Sequence, residues 1–349
     1  MNALLALEDR LLAVALDDAG ATTRHLSGHR PECLASSGNT RLVGTFDDGL
    51  WRASREGDEL GAFERVAPDT LPGRVTALAR APGDPDVVYL GAEPSAVYRS
   101  DDGGETWTEC APLTDLPSAG EWSFPPRPDT HHVRTMAVHP EDPDRLYVGI
   151  EAGAFVLSDD GGEPDGAGRP SSDGHAGSER SAAWTDRPPG SRRDNHTLAT
   201  HPDAPDRVYA AAGDGYAQSA DAGATWNHPT DGLQHGYVWG LAVDPADPDR
   251  VYVSAARGAH AAHYSGRADA HVYRREGDGP WQRFDGDELG DGLPVGEGVC
   301  RAVLAAPAPG EVLAANNRGL FHTTDSGATF ECILDDIMGV PRSIDVTNG

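Results

Sequence analysis

The sequence contains no lysine. Its 28 basic side chains are all arginine, and they stand against 56 aspartates and glutamates, which gives a formal net charge of −28 at pH 7. Such a surface repels the phosphates of nucleic acids and the headgroups of anionic lipids, so we expect neither as a partner. An acidic surface without lysine is typical of proteins that work in concentrated salt, where counterions screen the self-repulsion.

Cysteine and long apolar runs are also scarce. The four cysteines, Cys33, Cys110, Cys300 and Cys332, show no CxxC spacing, which argues against a zinc knuckle or a disulfide framework. No apolar run approaches the roughly 20 residues of a transmembrane helix. Residues 1–9 have no basic residue before a short apolar run, so they predict a strand rather than a signal peptide. These features predict a cytoplasmic protein with reduced cysteines.

What is present is a repeat. The pattern Ser/Thr-x-Asp-x-Gly-x-Thr-aromatic occurs in full at residues 100–107, 219–226 and 323–330, and a fourth copy begins at Ser158 but reaches its aromatic residue late, at Trp184. The Asp carboxylate is expected to accept hydrogen bonds from backbone amides two residues on. The Gly is expected to take positive φ, and the aromatic residue to anchor a hairpin in the core. The pattern therefore predicts a turn and not a reaction.

Each copy of the turn closes a longer unit. Residues 134–149 show an alternating strand ending in proline, an Asp/Pro-rich turn and a second strand rich in Val and Tyr, and the motif then joins a third strand to a fourth. Four such antiparallel strands form the blade of a β-propeller. We predict one all-β domain, a seven-bladed propeller closed by its N- and C-terminal strands. The predicted blades are residues 2–28 plus 341–347, 32–68, 74–114, 133–190, 196–231, 238–286 and 299–335, with 163–183 as a disordered insertion.

These motifs and this blade order resemble the Asp-box, or BNR-repeat, β-propellers. That superfamily holds sialidases, xyloglucanases, sortilin-type receptor ectodomains and photosystem II assembly-factor propellers. The resemblance covers nearly the whole chain, and the composition is similar to that of an acidic, haloarchaeal type of member. It implies the fold but not the function, because this fold hosts hydrolases, receptors and scaffolds alike. The Phe/Tyr-Arg-Ile-Pro motif of sialidases is missing, and sialidases have six blades rather than seven.

We expect a functional site on the face opposite the turn motifs, where first strands begin and second strands end. Aligning the first strands on their closing proline places one residue of each blade at one height beside the central channel: Glu32, Thr76, Arg134, His196, Trp239, Arg301 and Arg342. Nearby positions add Arg74, His132, Asp194 and Tyr237 two residues earlier, and Asp9, Asp47, Glu93, Glu151, Asp214, Asn316 and Asn317 after the second strands. This pattern predicts a polar, aromatic-lined funnel. Residues 115–131, with Trp and Phe between prolines, predict a stiff wall or lid.

Three functions fit such a funnel. The preferred one is binding of a small anionic or carbohydrate ligand, or of a peptide, without catalysis, through Arg134, Arg301, Arg342, Arg74, His132, His196 and Trp239. The second is glycoside hydrolysis of the sialidase type, or polysaccharide lysis, with Tyr237 as nucleophile or with carboxylates from Glu93, Glu151 and Asp47. The third is a protein–protein scaffold.

The metal signal is weak, and no cofactor is expected. Its candidates are His131 and His196 with a carboxylate. Adjacent histidines in a strand point to opposite sides, so His131 and His132 cannot both be ligands.

Overall fold

The chain forms seven antiparallel sheets, which confirms the predicted seven-bladed all-β propeller. The computed structural model describes residues 1–17, 20–56, 59–163, 183–286, 289–335 and 337–347. The predicted insertion at 163–183 lies outside the described residues except at its two ends. In these ranges no helix has the length and apolar character needed to cross a lipid bilayer.

The strands, numbered along the chain, group into blades of consecutive strands. The first three blades contain β1 (Asn2–Ala6), β2 (Leu11–Ala15) and β3 (Thr22–His25); β4 (Pro31–Ser37), β5 (Thr40–Thr45), β6 (Gly49–Glu56), β7 (Glu59–Leu60) and β8 (Glu64–Val66); and β9 (Val75–Arg80), β10 (Val88–Ala92), β11 (Val97–Ser100) and β12 (Thr108–Glu109). The fourth and fifth contain β13 (Val133–Val138), β14 (Leu146–Ile150), β15 (Phe155–Ser158) and β16 (Thr185–Asp186); and β17 (Asn195–His201), β18 (Ala204–Ala212) and β19 (Gly215–Ser219).

The last two blades contain β20 (Tyr237–Asp244), β21 (Asp247–Ala256), β22 (Asp269–Glu276), β23 (Gln282–Arg283) and β24 (Gly296–Glu297); and β25 (Val303–Ala305), β26 (Val312–Asn316), β27 (Gly319–Thr323) and β28 (Glu331–Asp335). The C-terminal strand β29 (Ser343–Thr347) joins the first blade. Short helices lie between strands: two 3-10 turns at Leu113–Asp115 and Ala119–Glu121, and α1 at Ala259–His263.

The two ends of the chain close the ring. β29 pairs antiparallel with β1, so the first blade has the order β29-β1-β2-β3 and takes its innermost strand from the C-terminus. Each innermost strand contacts the innermost strand of the next blade, from β4 round to β29 and back to β4. Seven inner strands therefore surround one central channel.

A tyrosine repeated in the second strands links blades to one another. Tyr89 and Tyr209 are fully buried, as are their equivalents in two other blades. The Tyr89 hydroxyl donates to the carbonyl of Pro143 at 2.8 Å, and the Tyr209 hydroxyl donates to the carbonyl of Pro248 at 2.7 Å. Each bond reaches the Asp/Pro-rich turn of the following blade, so the repeated Val-Tyr pair supplies both core volume and a contact between blades.

The repeated turns have one hydrogen-bond pattern. In the first copy, the Asp102 carboxylate accepts from the amides of Glu105 and Thr106, both at 2.9 Å, while Ser100 Oγ accepts from the Gly104 amide. Asp221 and Asp325 repeat the bond to the amide four residues on. In the three full copies these amides therefore lie three or four residues on, not two as predicted, whereas in the fourth copy Asp160 accepts from the amide of Gly162, two residues on, at 3.2 Å. The turns follow the third strands, at the end of the blade opposite the start of the first strand.

Candidate functional site

Five of the inner strands carry a β-bulge at the same level. In the fourth blade, Val133 pairs with Ile150 and Thr135 with Gly149, so Arg134 has no partner across the strand pair. The same break in register leaves one residue unpaired in each of the other four strands: Glu32, Thr76, His196 and Trp239. A bulge bends the strand and redirects the extra side chain, and here the bulged residues are the ones predicted to line the channel.

The channel contains a small cavity. Six of the seven predicted residues line it: Glu32, Thr76, Arg134, His196, Trp239 and Arg342. Its volume is about 150 Å³, whereas pockets for drug-sized ligands span roughly 300–1,000 Å³. The cavity therefore has room for a small polar group, such as a carboxylate with a few attached atoms, and not for a whole oligosaccharide.

Two of the three predicted arginines share one carboxylate. Glu32 accepts from Arg134 Nη1 at 3.2 Å and from Arg342 Nη1 at 2.7 Å. Glu32 lies on the second blade, Arg134 on the fourth and Arg342 beside the first, so the bond from Arg134 passes the third blade, while the bond from Arg342 joins neighbouring blades. The charge of a single carboxylate is thus spread over two guanidinium groups.

The third arginine, Arg301, makes no direct ion pair among the described residues, although the charge of Glu32 acts on it from a distance. Arg301 is 4% exposed, and its Cζ lies 4.5 Å from the centre of the Trp239 ring, which Arg134 also approaches at 4.8 Å. Arg301 Nη1 donates to the carbonyl of Pro341, whereas its Nε has no hydrogen-bond partner. In the part of the chain that the structure describes, no carboxylate lies within 4.0 Å of this guanidinium. Burial, and then the charges of Arg134 and Arg342, lower the pKa of Arg301 to about 9.

A carboxylate above the cavity is held by histidine and arginine. Glu151 Oε2 lies 3.0 Å from His132 Nε2 and 3.7 Å from Arg134 Nε, and Oε1 lies 4.0 Å from His196 Nε2. Burial alone would raise the pKa of Glu151, but the hydrogen bond with His132 and the neighbouring charges lower it to about 2. Burial raises the pKa of the adjacent Asp194 and lowers that of His196.

The predicted nucleophile, Tyr237, sits in an aromatic cluster. Its hydroxyl lies 3.1 Å from His263 Nε2, and His263 packs edge-on against Trp239 with ring centroids 4.4 Å apart. Burial raises the pKa of Tyr237, and the charge of Glu151 raises it further. Nucleophilic attack needs the opposite shift, so this environment does not activate the hydroxyl.

A second buried carboxylate, Glu93, is fully engaged at the mouth. Arg74 Nη1 donates to its Oε1 at 2.8 Å, and Arg127 donates to both of its oxygens, at 3.2 and 2.5 Å. The Arg127 guanidinium also lies 4.7 Å above the rings of Phe46 and Phe124. Arg127 comes from the predicted wall at 115–131, and this contact fixes that segment against the funnel.

Sequence reasoning missed two residues of the site and included several that lie apart from it. Arg127 and His263 were missed, although both belong to the long segments between strands that the sequence analysis or the strand pattern marks. Asp47 is exposed and accepts a hydrogen bond from the backbone of Arg30 at 3.1 Å. His131 packs edge-on against Trp122 with ring centroids 5.5 Å apart, so of the two metal candidates only His196 is near carboxylates, those of Glu151 and Asp194.

Comparison with known proteins identifies fold relatives. The sequence matches no protein-family model and no curated protein. Among solved structures, the chain is similar to an ancestral GH74 enzyme (TM-score 0.60, 14% identity, 86% of this chain and 38% of that one) and to the GH74 enzyme of Niastella koreensis (0.61, 15%, 95% and 53%). It is also similar to YCF48 bound to D1 peptide (0.56, 14%, 88% and 82%). The chain spans about two fifths and about half of the two GH74 chains. At these identities the likeness shows the propeller fold.

Proposed function

We propose that this propeller binds a small carboxylate-bearing ligand in its central funnel, with Arg301 as the principal anchor. The observation that carries the proposal is the buried guanidinium of Arg301, which lies over Trp239 and has no carboxylate partner in the described ranges. Removing one member of a buried ion pair costs about 3–5 kcal/mol, because the remaining charge is left uncompensated. A bound carboxylate offsets that cost and gains the bidentate pairing that arginine offers.

The size and lining of the cavity support the same ligand class. Arg134 and Arg342 line the cavity, so an added anion meets two guanidinium groups in addition to the charge of the nearby Arg301. The cavity of about 150 Å³ suits the carboxylate itself and is too small for the rest of a larger ligand. An anionic sugar and the C-terminus of a peptide both present such a group. YCF48 bound to D1 peptide gives an example of a propeller of this fold with a peptide ligand.

The contacts of the funnel carboxylates favour binding over hydrolysis. Glu93 is held by two arginines, and the low pKa of Glu151 leaves that residue ionised beside His132, so Glu151 is not poised to donate a proton. The raised pKa of Tyr237 makes its hydroxyl a poor nucleophile for a sialidase-type reaction. We therefore keep glycoside hydrolysis as an outcome of the test and not as a second proposal.

We also propose the superfamily to which the chain belongs and the environment in which it works. The recurring turn bonds of Asp102, Asp221 and Asp325 support placing the chain among the Asp-box propellers. The lysine-free surface with a net charge of −28 supports a haloarchaeal-type protein of the cytoplasm.

Calorimetric titration at constant ionic strength tests the binding proposal. The probes are acetate, N-acetylneuraminate, and trialanine with a free or an amidated C-terminus. We expect saturable binding of the free carboxylates at one site and none of the amidated peptide. Arg301→Met should abolish binding, while Arg24→Met, which removes an exposed guanidinium from the outer strand β3, should not.

Absence of binding by every carboxylate, or equal binding by Arg301→Met, would refute the proposal. A panel of fluorogenic glycosides tests the alternative function, glycoside hydrolysis. Turnover that is lost in Glu151→Gln would replace binding by hydrolysis as the function.

A further inference from the structure

A second group of ligating side chains lies in the sixth blade, away from the residues that line the cavity. Asp269, His271 and Tyr273 alternate along β22 and so share one face of the strand. His235, two residues before β20, stacks on the His271 ring with centroids 4.6 Å apart and an interplanar angle of 20°. Two imidazoles and a carboxylate therefore meet where β20 and β22 begin.

The distances within this group suit one metal ion. His271 Nε2 lies 3.2 Å from Asp269 Oδ1, and one ligand atom from each of His235, Asp269 and His271 lies within 4.8 Å of the others. Ligands held at about 2.0–2.2 Å from a tetrahedral zinc ion are roughly 3.4 Å apart. The His271–Asp269 pair is already near this separation, and a small shift of the His235 ring brings in the third ligand.

The surroundings orient the ligands. The hydroxyl of Tyr273 lies 2.5 Å from His235 Nδ1, which fixes the ring and leaves Nε2 for a metal. Asp269 directs Oδ1 to His271, while its Oδ2 is 3.9 Å from the exposed Arg257. A Cβ atom added at Gly296 would lie 3.6 Å from the His271 ring, so the glycine keeps this side of the group uncovered.

We propose that His235, Asp269 and His271 form a binding site for a divalent transition-metal ion, with Zn²⁺ as the preferred ion. Imidazole with a single carboxylate suits Zn²⁺ and its neighbours, whereas Ca²⁺ and Mg²⁺ take sets of oxygen ligands. Three protein ligands leave a fourth tetrahedral position for water. The ion would tie the segment before β20 to β22.

Among the described residues a second group with metal-ligating side chains, Glu151, Asp194 and His196, provides an internal comparison. Its His196 Nε2 is 3.8 Å from Asp194 and 4.0 Å from Glu151, so its spacing is similar. However, Arg134 Nε lies 3.7 Å from Glu151 and is buried at 8% exposure, so its positive charge opposes a divalent cation with little screening, whereas Arg257 beside Asp269 is 79% exposed and screened by solvent. We therefore assign the metal to the sixth blade.

Metal titration of the untagged, full-length, chelator-treated protein tests this assignment. Zn²⁺ is followed by calorimetry, and Co²⁺ by the visible absorption that a four-coordinate site produces. We expect one tightly bound equivalent. His271→Ala and Asp269→Asn should abolish it, and Tyr273→Phe should weaken it about 10–100-fold.

Two control variants separate this site from the alternatives. His228→Ala, which removes an exposed histidine elsewhere on the surface, should retain the wild-type affinity, and so should His196→Ala. No binding by the wild type, unchanged binding in His271→Ala, or loss in His196→Ala would overturn the assignment. Circular dichroism excludes misfolding, and Asp269→Asn keeps the shape of the side chain. Because Arg301→Met should leave this affinity unchanged, the outcome is independent of the proposed carboxylate site.

Discussion

Burial and neighbouring charges together set the charge carried by individual side chains in the funnel. Glu151 stays ionised because its contacts with His132 and the nearby charges lower its pKa to about 2, and Arg301 stays charged at neutral pH although burial lowers its pKa to about 9. Burial, and then the charge of Arg301, lower the pKa of His263 to about 2, so this ring is neutral in the folded protein at all moderately acidic pH values. The funnel thus keeps histidine uncharged beside arginine.

His263 should make the protein less stable in mild acid. In the unfolded chain its pKa returns to about 6.5, so unfolding takes up a proton below that pH. The stabilisation is complete above about pH 6.5 and is lost towards the folded-state pKa of about 2. The free energy of unfolding should fall by up to about 1.4 kcal/mol per pH unit for this residue.

Urea denaturation between pH 7 and 5 measures this effect. His263→Gln should show a shallower pH dependence than the wild type, while His228→Gln, which replaces an exposed ring, should match the wild type. Identical pH dependence in His263→Gln and the wild type would show that His263 titrates normally in the folded state.

The sequence predicted the residues on the inner strands better than those on the loops. Arg134, His196 and Trp239 are fixed relative to a proline that ends each first strand, and the strand repeat alone gives their height in the channel. His263 and Arg127 reach the funnel through loops whose paths depend on packing against neighbouring blades. A strand repeat contains no information about such paths. The same limit explains Asp47, which follows its strand at the predicted position but is exposed.

At the level of strands, the bulges are the elements that build the funnel. The sequence showed alternation, and polar pairs such as Arg134-Thr135 and His196-Thr197 break it where the bulges lie. A bulge changes the pairing register without changing the composition of the strand. In these two strands, the break in alternation at the polar pair is the sequence signal that accompanies the bulge. The closure of the ring by β29 was predictable, because an unpaired strand pattern at one end matched a three-stranded pattern at the other.

Glycines in the second strands let adjacent inner strands approach. A Cβ atom at Gly91 would lie 2.4 Å from Val133 Cγ1 of the next blade, whereas one at Gly73 meets no atom within 4 Å. Gly91→Ala should lower the free energy of unfolding by about 1–3 kcal/mol, since the packed neighbours have no free space. Gly73→Ala should be neutral or slightly stabilising.

Chemical denaturation of the two alanine variants gives this comparison directly. Equal midpoints for Gly91→Ala and Gly73→Ala would mean that the blades can move apart at no cost, contrary to the close packing of their inner strands.

For the whole molecule, the net charge of −28 is the dominant long-range term. Self-repulsion opposes the compact state, and the Debye length falls from about 10 Å at 0.1 M salt to about 3 Å at 1 M. The melting temperature should therefore rise as KCl is increased into the molar range, as calorimetric scans would show. A flat or falling response would contradict a surface adapted to concentrated salt.

The buried charge of Arg301 offers the most direct test of the proposed function. Replacing an uncompensated buried cation with an apolar side chain of similar length removes an unfavourable term, so Arg301→Met should be at least as stable as the wild type without ligand. A ligand that binds only the folded state adds stability as its concentration rises.

The decisive measurement is the free energy of unfolding of the wild type and Arg301→Met at increasing concentrations of acetate and constant ionic strength. We expect the wild type and the Arg24→Met control to gain stability with acetate and Arg301→Met to gain none. An equal gain in Arg301→Met and the wild type would contradict a carboxylate site built around Arg301.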